Sequence, residues 1–248
     1  MKNGIIMMCC LLSTMTTKAN SFETDTFTTK EGKKLEITFI KHASLMFLYD
    51  GHVIQVDPIS AYADYTKFPK ADIILITHEH YDHLDPKAIA AAEKEGTILV
   101  SNPSSYQQLQ KGRVMKNGDR EQLTPYLFLE AVPAYNTTPG RDKFHPRGRD
   151  NGYILTLGGT RIYIAGDTED IPEMQDLKNI DIAFLPVNQP YTMTVPQAVR
   201  AAKWIKPRIL YPYHYGETPI RELQQQLKDE LSIDVRLSLI HISEPTRH

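Results

Sequence analysis

Cysteine is almost absent from this chain of 248 residues, because the two cysteines present are Cys9 and Cys10, near the amino terminus. They lie in a short apolar run that follows Lys2 and precedes small residues at 17–19, an arrangement typical of a signal peptide. We therefore expect residues 1–19 to be removed and the protein to be exported to the periplasm or the extracellular space. The alternative is the frayed start of a cytoplasmic chain. A mature chain without cysteine has no disulfide, no thiol nucleophile and no thiolate metal ligand.

Blocks of like charge and long hydrophobic runs are also lacking. The formal net charge is −2, so the chain has no electrostatic footprint for nucleic acid or for an anionic membrane. Hydrophobic residues make up 41% and charged residues 23%, the composition of an ordinary soluble globular protein. We therefore expect a small-molecule partner, no nucleic acid, and no stable membrane insertion after removal of the leader.

One domain is expected over residues 20–236, since α/β folds of this size often form a single unit. The final stretch, residues 237–248, resembles translated sequencing adapter rather than a natural protein terminus. We therefore exclude it from the domain, and with it His241 and His248 as site candidates. A strand around Val235 is expected near the end of the domain.

Strand and helix patterns alternate through this domain. Strands are predicted at residues 35–40, 44–49, 52–56, 72–76, 97–100, 113–116, 127–132, 153–157, 161–165, 182–185 and 209–211. Helices are predicted at residues 86–95, 104–110, 195–205 and 219–231. Continuous apolar runs such as 73–76 and 182–185 suit strands that are buried on both faces. Two sheets with helices outside both follow, so the predicted fold class is α/β (α+β), a four-layer αββα sandwich.

Three imidazoles and one carboxylate stand within six residues, shortly after the apolar run that ends at Ile76. They are His78, His80, Asp82 and His83. Neutral imidazole and carboxylate are ligands that Zn²⁺, Mn²⁺ and Fe accept. On an extended segment alternate side chains share a face, so His78, His80 and Asp82 can point the same way. A turn into a helix near Asp82 places His83 beside it, so that one pair can serve one metal and the second pair its neighbour.

The spacing His78-x-His80-x-Asp82-His83 resembles the signature of the metallo-β-lactamase superfamily. Two later segments resemble its bridging aspartate and its last metal-binding histidine; they are Gly166-Asp167-Thr168 and Pro212-Tyr213-His214-Tyr215. Asp57, at the end of the strand 52–56, matches an aspartate that buttresses the metal ligands. The resemblance spans roughly residues 35–236 and implies a metal-dependent hydrolase with the αββα fold.

Further segments are similar to one branch of that superfamily, uncharacterised metal-dependent hydrolases related to the L-ascorbate-6-phosphate lactonases and N-acyl-phosphatidylethanolamine phospholipase D. These segments are Pro133-Ala134-Tyr135-Asn136, Phe144-His145-Pro146 and Thr192-Met193-Thr194. The chain departs from the branch at Asn136, where those relatives place a metal-binding histidine. His145, in the same loop, is the predicted replacement. The alternatives are Asn136 as a weak ligand or substrate contact, and a vacant position.

The resemblance implies two metal ions, zinc in the leading interpretation, with manganese or iron as alternatives. The first ion would be held by His78, His80 and His145, and the second by Asp82, His83 and His214. Asp167 would bridge the two ions. Asp82 and His80 are the predicted catalytic residues, Asp82 by orienting a bridging hydroxide or carrying its proton. Asp57 is expected to accept a ring N–H from a ligating histidine.

The implied function is hydrolysis of a small ester, lactone or phosphodiester by a metal-bridging hydroxide. Two alternatives stay open: a di-iron redox or sensor protein on the same scaffold, and a catalytically silent metal-binding domain. The basic residues of the loop that carries His145 favour either an anionic substrate or simple solvation; they are Arg141, Lys143, Arg147 and Arg149. His42 and His52 are expected to be structural or surface residues, although the family resemblance places the loop of His42 near the metal face.

Overall fold

A computed structural model describes residues 22–238 of the chain. The predicted signal peptide lies outside the described residues, and so does the predicted foreign tail apart from Leu237 and Ser238. Within residues 22–238, no helix is both long enough and apolar enough to span a bilayer.

The first half of the described chain forms a seven-stranded sheet whose strands lie side by side in chain order. They are β1 Glu23–Thr28, β2 Lys34–Lys41, β3 Ser44–Tyr49, β4 His52–Val56, β5 Ala71–Ile76, β6 Glu93–Ser101 and β7 Arg113–Val114. Neighbours from β1 to β4 are antiparallel, and neighbours from β4 to β7 are parallel.

The second half forms another seven-stranded sheet with the same pattern of pairing. Its strands are β8 Arg120–Thr124, β9 Leu127–Ala134, β10 Asp150–Leu157, β11 Thr160–Ile164, β12 Ile182–Pro186, β13 Ile209–Tyr213 and β14 Asp234–Val235. Neighbours from β8 to β11 are antiparallel, and those from β11 to β14 are parallel. Because parallel strands end at the same edge of a sheet, each half offers one edge where loops can gather side chains.

Four α-helices connect these strands: α1 Pro86–Ala92, α2 Pro103–Leu109, α3 Val195–Ile205 and α4 Arg221–Gln226. The first three begin with a capping side chain and a proline in the first turn; the caps are Asp85, Asn102 and Thr194. Each cap accepts a backbone N–H that the helix itself leaves unpaired. Two 3-10 turns, Tyr65–Lys67 and Pro172–Asp176, complete the regular structure of the described residues.

Three hydrophobic cores separate the layers. The largest, which includes Phe39, Phe184 and Tyr211, draws residues from both sheets and lies between them. A second contains Ala88 and Ile89 of α1 and lies on the outer face of the first sheet. A third contains residues of α3 and α4 and covers the outer face of the second sheet. This order of helix, sheet, sheet and helix confirms the predicted four-layer αββα sandwich.

The predicted helix at 86–95 is wrong at its carboxyl end. The helix stops at Ala92, and β6 begins at Glu93, which pairs with Ala71 of β5. Residues 90–95 have good helix propensity, but pairing with a buried neighbouring strand outweighs that weak preference. Gly96, at φ +83°, lies where the register between β5 and β6 shifts.

Other differences concern edges and ends. Strands β1 and β8 were not predicted, because both are edge or near-edge strands with mostly polar sequences. The predicted helix at 219–231 is shorter, Arg221–Gln226, since Leu227 is its last buried residue while Leu231 is 96% exposed. The predicted strand around Val235 is present as β14. Beyond it, Leu237 packs against the third core and Tyr215 Oη donates to Ser238 O at 3.1 Å.

Candidate metal centre

Polar residues at the ends of parallel strands meet at one edge of the sandwich. Asp57 follows β4 and the segment 77–83 follows β5, while Asp167 and His214 come shortly after β11 and β13. Two backbone hydrogen bonds join the halves here: Asn151 N–H donates to Thr77 O at 3.1 Å, and His214 N–H donates to His42 O at 3.0 Å. Ends of strands from both sheets are thereby brought together.

Three histidines form a first group, the histidine cluster, made of His78, His80 and His145. One ring nitrogen of each lies within 4.8 Å of the others. His78 Nε2 and His80 Nδ1 are 3.1 Å apart, close to the separation of about 3.3 Å expected for two ligands of one tetrahedral zinc ion. Burial lowers the pKa of both residues, and neighbouring imidazoles lower it further. These rings are therefore neutral, as metal ligands must be.

A buried carboxylate orients His145. Its Nδ1 donates to Asp150 Oδ2 at 2.9 Å, which leaves Nε2 facing the other two histidines. Asp150 is in turn held by Arg149, whose Nε lies 2.6 Å from Asp150 Oδ1. A carboxylate behind a ligating histidine fixes its tautomer and raises its basicity. The sequence interpretation did not select Asp150, although it lies only five residues after His145.

A second group, the mixed cluster, contains His42, Asp82, His83 and His214. Asp82 Oδ2 lies 3.0 Å from His42 Nε2, 3.6 Å from His214 Nε2 and 3.9 Å from His83 Nε2. Burial opposes ionisation of Asp82, but the nearby imidazoles of His214 and His42 hold the pKa of this carboxyl below its usual range. Asp82 is therefore an anion surrounded by imidazoles.

Asp167 lies between the two clusters. Its Oδ1 is 3.4 Å from His83 Nε2, and its Oδ2 is 3.2 Å from His214 Nε2. The same Oδ2 is 3.4 Å from His145 Nε2 and 3.9 Å from His78 Nε2, both in the histidine cluster. One carboxylate thus reaches ring nitrogens of both groups, the position that a bridging ligand requires.

Asp57 supports both clusters from below. Its Oδ2 accepts from His83 Nδ1 at 2.8 Å and from Thr77 Oγ1 at 2.6 Å. Because Thr77 Oγ1 donates to Asp57, it accepts from His78 Nδ1, which lies 3.0 Å away. Asp57 therefore fixes one ring directly and another through Thr77, and in each ring Nε2 is left facing the centre.

Buried charged groups at this edge strongly shift one another's pKa values. Burial disfavours the charged forms, but His214 and His83 outweigh it at Asp167 and hold the pKa of that carboxyl well below its usual range. Against the same effect of burial, Asp167 and Asp82 raise the pKa of His214 to about 9. Asp167 and Asp57 likewise raise the pKa of His83 well above its usual value. A metal cation bound here would replace the ring protons of His83 and His214 as the positive charge that attracts the Asp167 carboxylate.

The donor set fits such a cation. Among the described residues, buried His83 Nε2, His214 Nε2 and Asp167 Oδ1 have no hydrogen-bond partner. A buried polar atom without a partner costs about 1–3 kcal/mol, yet Asp167 Oδ1 lies 3.4 Å from His83 Nε2, and His83 and His214 each present a ring nitrogen to the mixed cluster. Imidazole nitrogen and carboxylate oxygen are the ligands that first-row metal ions prefer.

Asn136 lies outside both clusters. Its Nδ2 donates to Tyr191 O at 2.7 Å and to Arg141 O at 3.2 Å, and its backbone N–H donates to His145 O at 2.8 Å. Asn136 therefore fastens the loop that carries His145 to the loop after β12. His145, not Asn136, contributes a ring to the histidine cluster.

Left-handed backbone conformations concentrate at this edge. His42, Asp57 and His214 have φ of 58°, 44° and 47°, a region that costs a residue with a side chain about 1–3 kcal/mol. Gly166, at φ +66°, precedes Asp167, and a Cβ there would lie 2.7 Å from Asn151 O. Its N–H donates to Tyr213 Oη at 2.9 Å, which fixes the turn that presents Asp167.

His42 differs from the structural or surface role expected for it. It touches Asp82, and its ring centroid lies 3.7 Å from that of His214. A position next to the metal ligands was suggested by the family resemblance of its loop, but no spacing pattern selected the residue. His52 does lie at the surface, where it stacks on Tyr126 at 3.7 Å.

The basic loop is paired internally. Arg141 lies 3.5 Å from Glu169, Arg147 2.9 Å from Glu173, and Arg149 3.1 Å from Glu79. Lys143 lies 5.1 Å from the centroid of the Phe144 ring. Charge pairing within the protein thus explains these residues better than recognition of an anion.

A cavity of about 580 Å³ opens onto both clusters, within the range of about 300–1,000 Å³ common for small-molecule sites. Its lining includes members of both groups together with Asp167; these are His42, His80, Asp82, His145, Asp167 and His214. A small molecule entering the cavity therefore meets the side chains of the centre directly.

The fold and the site together indicate a class of protein. An αββα sandwich with two adjoining clusters of histidine and aspartate beneath one cavity is typical of metal-dependent hydrolases of the metallo-β-lactamase type. The family described as the beta-lactamase superfamily domain matches residues 36–214, a range that contains every residue of both clusters. The chain therefore belongs to this superfamily.

Three relatives illustrate the match. A UPF0173 metal-dependent hydrolase of Thermococcus kodakarensis is 33% identical over 198 residues, which are 75% of this chain and 86% of the relative. A crystal structure from Parabacteroides distasonis, described as a candidate metal-dependent hydrolase, is 68% identical with a TM-score of 0.87, covering 88% of this chain and 99% of its own. Igni18, a metallo hydrolase of Ignicoccus hospitalis, is 26% identical with a TM-score of 0.69, covering 82% and 94%. The predictions of this superfamily and of a metal-dependent hydrolase are confirmed.

Proposed function

We propose that the protein is a dinuclear zinc hydrolase that acts on a small ester, lactone or phosphodiester. The observation that carries the proposal is the position of Asp167, whose carboxylate reaches ring nitrogens of both clusters at 3.2 to 3.4 Å. A carboxylate so placed can bridge two cations of the kind that act together in hydrolysis.

The ligand sets follow from the two clusters. His78, His80 and His145 would hold one ion; Asp82, His83 and His214 would hold the other; Asp167 would contact both. When bound, the ions would lower the pKa of a water molecule toward neutrality and polarise the scissile carbonyl or phosphoryl oxygen. Manganese and iron accept the same ligands.

The remaining chemistry belongs to side chains of this chain. Asp82 is partly exposed to the cavity, so it is placed to orient the attacking water and carry its proton to the leaving group. His42 contacts the same Oδ2 and holds its orientation. Asp57 and Asp150 hold His83 and His145 in the tautomers that direct Nε2 inward.

The test combines metal analysis with an assay panel. Metal-free protein reconstituted with zinc is expected to bind two ions per chain and to hydrolyse at least one of a set of esters, lactones and phosphodiesters. Asp167→Asn is expected to lower both metal affinity and turnover by at least about tenfold to a hundredfold. Asp176→Asn, on the exposed 3-10 turn that follows, is the matched control and should change neither.

Two outcomes contradict the proposal. Iron binding with visible absorbance and no hydrolysis would support the redox or sensor alternative. Binding of one ion or none, with no turnover of any ester, lactone or phosphodiester, would support the silent domain.

We also propose that the enzyme works outside the cytoplasm, on the strength of the leader-like residues 1–19. Expression of the full chain in a bacterial host should then yield exported protein that begins at Asn20. Intact mass measurement of the periplasmic fraction checks this, and retention of the uncleaved chain in the cytoplasm contradicts it.

A further inference from the structure

We infer that the outer part of the cavity binds an uncharged aryl group, so that the substrate is a neutral carboxylic ester or lactone carrying such a group. This inference rests on the proposed function, because it names the substrate class of the same site. It concerns the residues that line the cavity beyond the metal centre.

Six residues line the cavity outside the metal centre, and three of them are aromatic. Besides the residues of the two clusters and Asp167, the cavity is lined by Glu79, Tyr81, Gln108, Phe144, Asn188 and Tyr191. We call Tyr81, Phe144 and Tyr191 the aromatic wall. Most of the lining outside the centre is therefore ring surface or uncharged amide.

Two members of the aromatic wall, Tyr81 and Tyr191, are exposed to solvent. Among the described residues only four large hydrophobic side chains are exposed, and Tyr81 at 88% and Tyr191 at 45% are two of them. Both line this cavity. Exposed apolar groups are ordinary when scattered singly, but their concentration at one cavity indicates a surface kept for a ligand.

The geometry of the wall suits a flat ring. The centroids of Phe144 and Tyr191 are 5.1 Å apart with planes at 71°, an edge-to-face pair. Such a pair presents one ring edge and one ring face, and a third ring can continue either contact at the usual centroid spacing of about 4.5–7 Å.

Asn136 holds this pair in place. By donating to Tyr191 O and Arg141 O, at 2.7 and 3.2 Å, it ties the loop that carries Phe144 to the loop that carries Tyr191. The asparagine that stands where relatives have a metal-binding histidine thus positions the aromatic wall.

An anionic tail would find no partner in the outer cavity. No lysine or arginine is among the described residues that line it. The guanidinium of Arg149 is occupied by Asp150 at 2.6 Å and by Glu79 at 3.1 Å. The ammonium of Lys143, which is not part of the lining, lies over the Phe144 ring at 5.1 Å. A carboxylate or phosphate placed here would lose its hydration and lie close to Glu79 and Asp82 without compensation.

A matched set of methyl esters, whose methanol leaving group carries no ring, tests the inference with the leaving group held constant. The acyl groups are 3-phenylpropanoyl, 3-cyclohexylpropanoyl, acetyl and succinyl. Zinc-loaded protein is expected to show a kcat/KM for the phenyl ester at least about tenfold above the cyclohexyl ester and about a hundredfold or more above the anionic succinyl ester.

Variants of the wall locate the effect. Phe144→Leu and Tyr191→Leu should each lower kcat/KM for the phenyl ester by about three- to tenfold, and the preference for the phenyl ester over the acetyl ester should fall accordingly. Tyr126→Leu, which removes a ring that lies outside the cavity, is the matched control and should change no ester. Equal rates for phenyl and cyclohexyl esters, or a preference for the succinyl ester, would overturn the inference while leaving the proposed function standing.

A binding measurement keeps the test independent of turnover. Saturation-transfer NMR with N-methyl-3-phenylpropanamide, which has no ester, is expected to show strong saturation of the ring protons. The signal should fall in Phe144→Leu and persist in Tyr126→Leu. If the ring protons are saturated but the zinc-loaded protein hydrolyses none of the esters, the proposed function is wrong and the aryl site stands. If the ring protons are not saturated, or if the matching amide with a cyclohexyl group in place of the phenyl group is saturated equally, the aryl site is wrong.

Discussion

Two imidazoles at the metal centre are each oriented by a carboxylate behind the ring. Asp150 accepts from His145 and Asp57 accepts from His83, at 2.9 and 2.8 Å. In both rings the nitrogen used for this bond is Nδ1, so Nε2 is left for the centre. Removing such a carboxylate leaves the ligand in place but frees its ring to turn and to change tautomer.

Asp150→Asn is therefore expected to lower zinc affinity by about 10–100-fold without removing any ligand. Competition titration against a chromophoric chelator measures this change. Asp142→Asn, an exposed residue of the same loop, is the matched control and should bind zinc as the unchanged protein does. Unaltered affinity in Asp150→Asn would show that His145 needs no carboxylate behind it.

His42 is expected to act through Asp82, which it contacts at 3.0 Å. His42→Ala should lower kcat by about 10–100-fold, because Asp82 loses the bond that orients it. The chain should still bind two zinc ions. Steady-state kinetics and metal analysis check both parts, with His52→Ala, a half-buried histidine outside both clusters, as control. Full activity in His42→Ala, or loss of a zinc ion, would contradict this role.

The residues that the sequence revealed are those that stand close together or follow a family spacing. His78, His80, Asp82 and His83 are neighbours along the chain, so their pattern was visible. His42 and Asp150 were not selected, because their partners are set by sheet pairing and loop path rather than by spacing. Asp150, for instance, is the first residue of a strand whose start had been predicted at Tyr153.

At the scale of secondary structure, parallel pairing places the site. The strands β4 and β5 end side by side in one sheet, and β11, β12 and β13 do so in the other. Most of these strands were predicted with bounds close to those observed, because their apolar runs are continuous. The edge strands β1 and β8 escaped prediction since a strand with little burial has little apolar pattern to recognise.

The start of α1 is held by one side chain. Asp85 accepts from Lys87 N–H and Ser60 N–H, both at 2.8 Å. Burial opposes its ionisation, but the bonds from Ser60 and Lys87 lower the pKa of this carboxyl. A carboxyl whose pKa is lowered by folding stabilises the protein above its unfolded pKa, about 3.9, and loses that contribution as the pH falls through its folded value.

Asp85→Ala should therefore lower the free energy of unfolding by about 1 kcal/mol at pH 7, and the difference from the unchanged protein should shrink below about pH 4. Urea unfolding at both pH values measures it. Glu95→Ala, an exposed carboxylate close to the same helix, serves as control. A deficit that persists undiminished at pH 3 would mean that the charge of Asp85 is irrelevant.

At the scale of the whole molecule, the centre joins the two halves. His78, His80, Asp82 and His83 follow strand β5 of the first sheet, whereas His145, Asp167 and His214 come from the second half of the chain. The largest core lies between the same two sheets. Metal ions held by residues of both halves would add a link across that core.

Removal of metal is consequently expected to lower the thermal stability of the entire domain. A ligand present at about 100 times its dissociation constant contributes about 2.7 kcal/mol to the folded state. Scanning calorimetry with and without a chelator should show a lower Tm in the metal-free protein, restored by added zinc. Asp167→Asn should show little response to zinc, and an unchanged Tm in chelated wild-type protein would contradict the link.

The proposed hydrolase depends above all on Asp167 bridging two metal ions. Anomalous diffraction at the zinc edge, from crystals of the zinc-loaded protein, tests it most directly. Two peaks about 3.5–4 Å apart are expected, one beside His78, His80 and His145 and the other beside Asp82, His83 and His214, with Asp167 touching both. A single peak, or two peaks of which Asp167 touches only one, would contradict it.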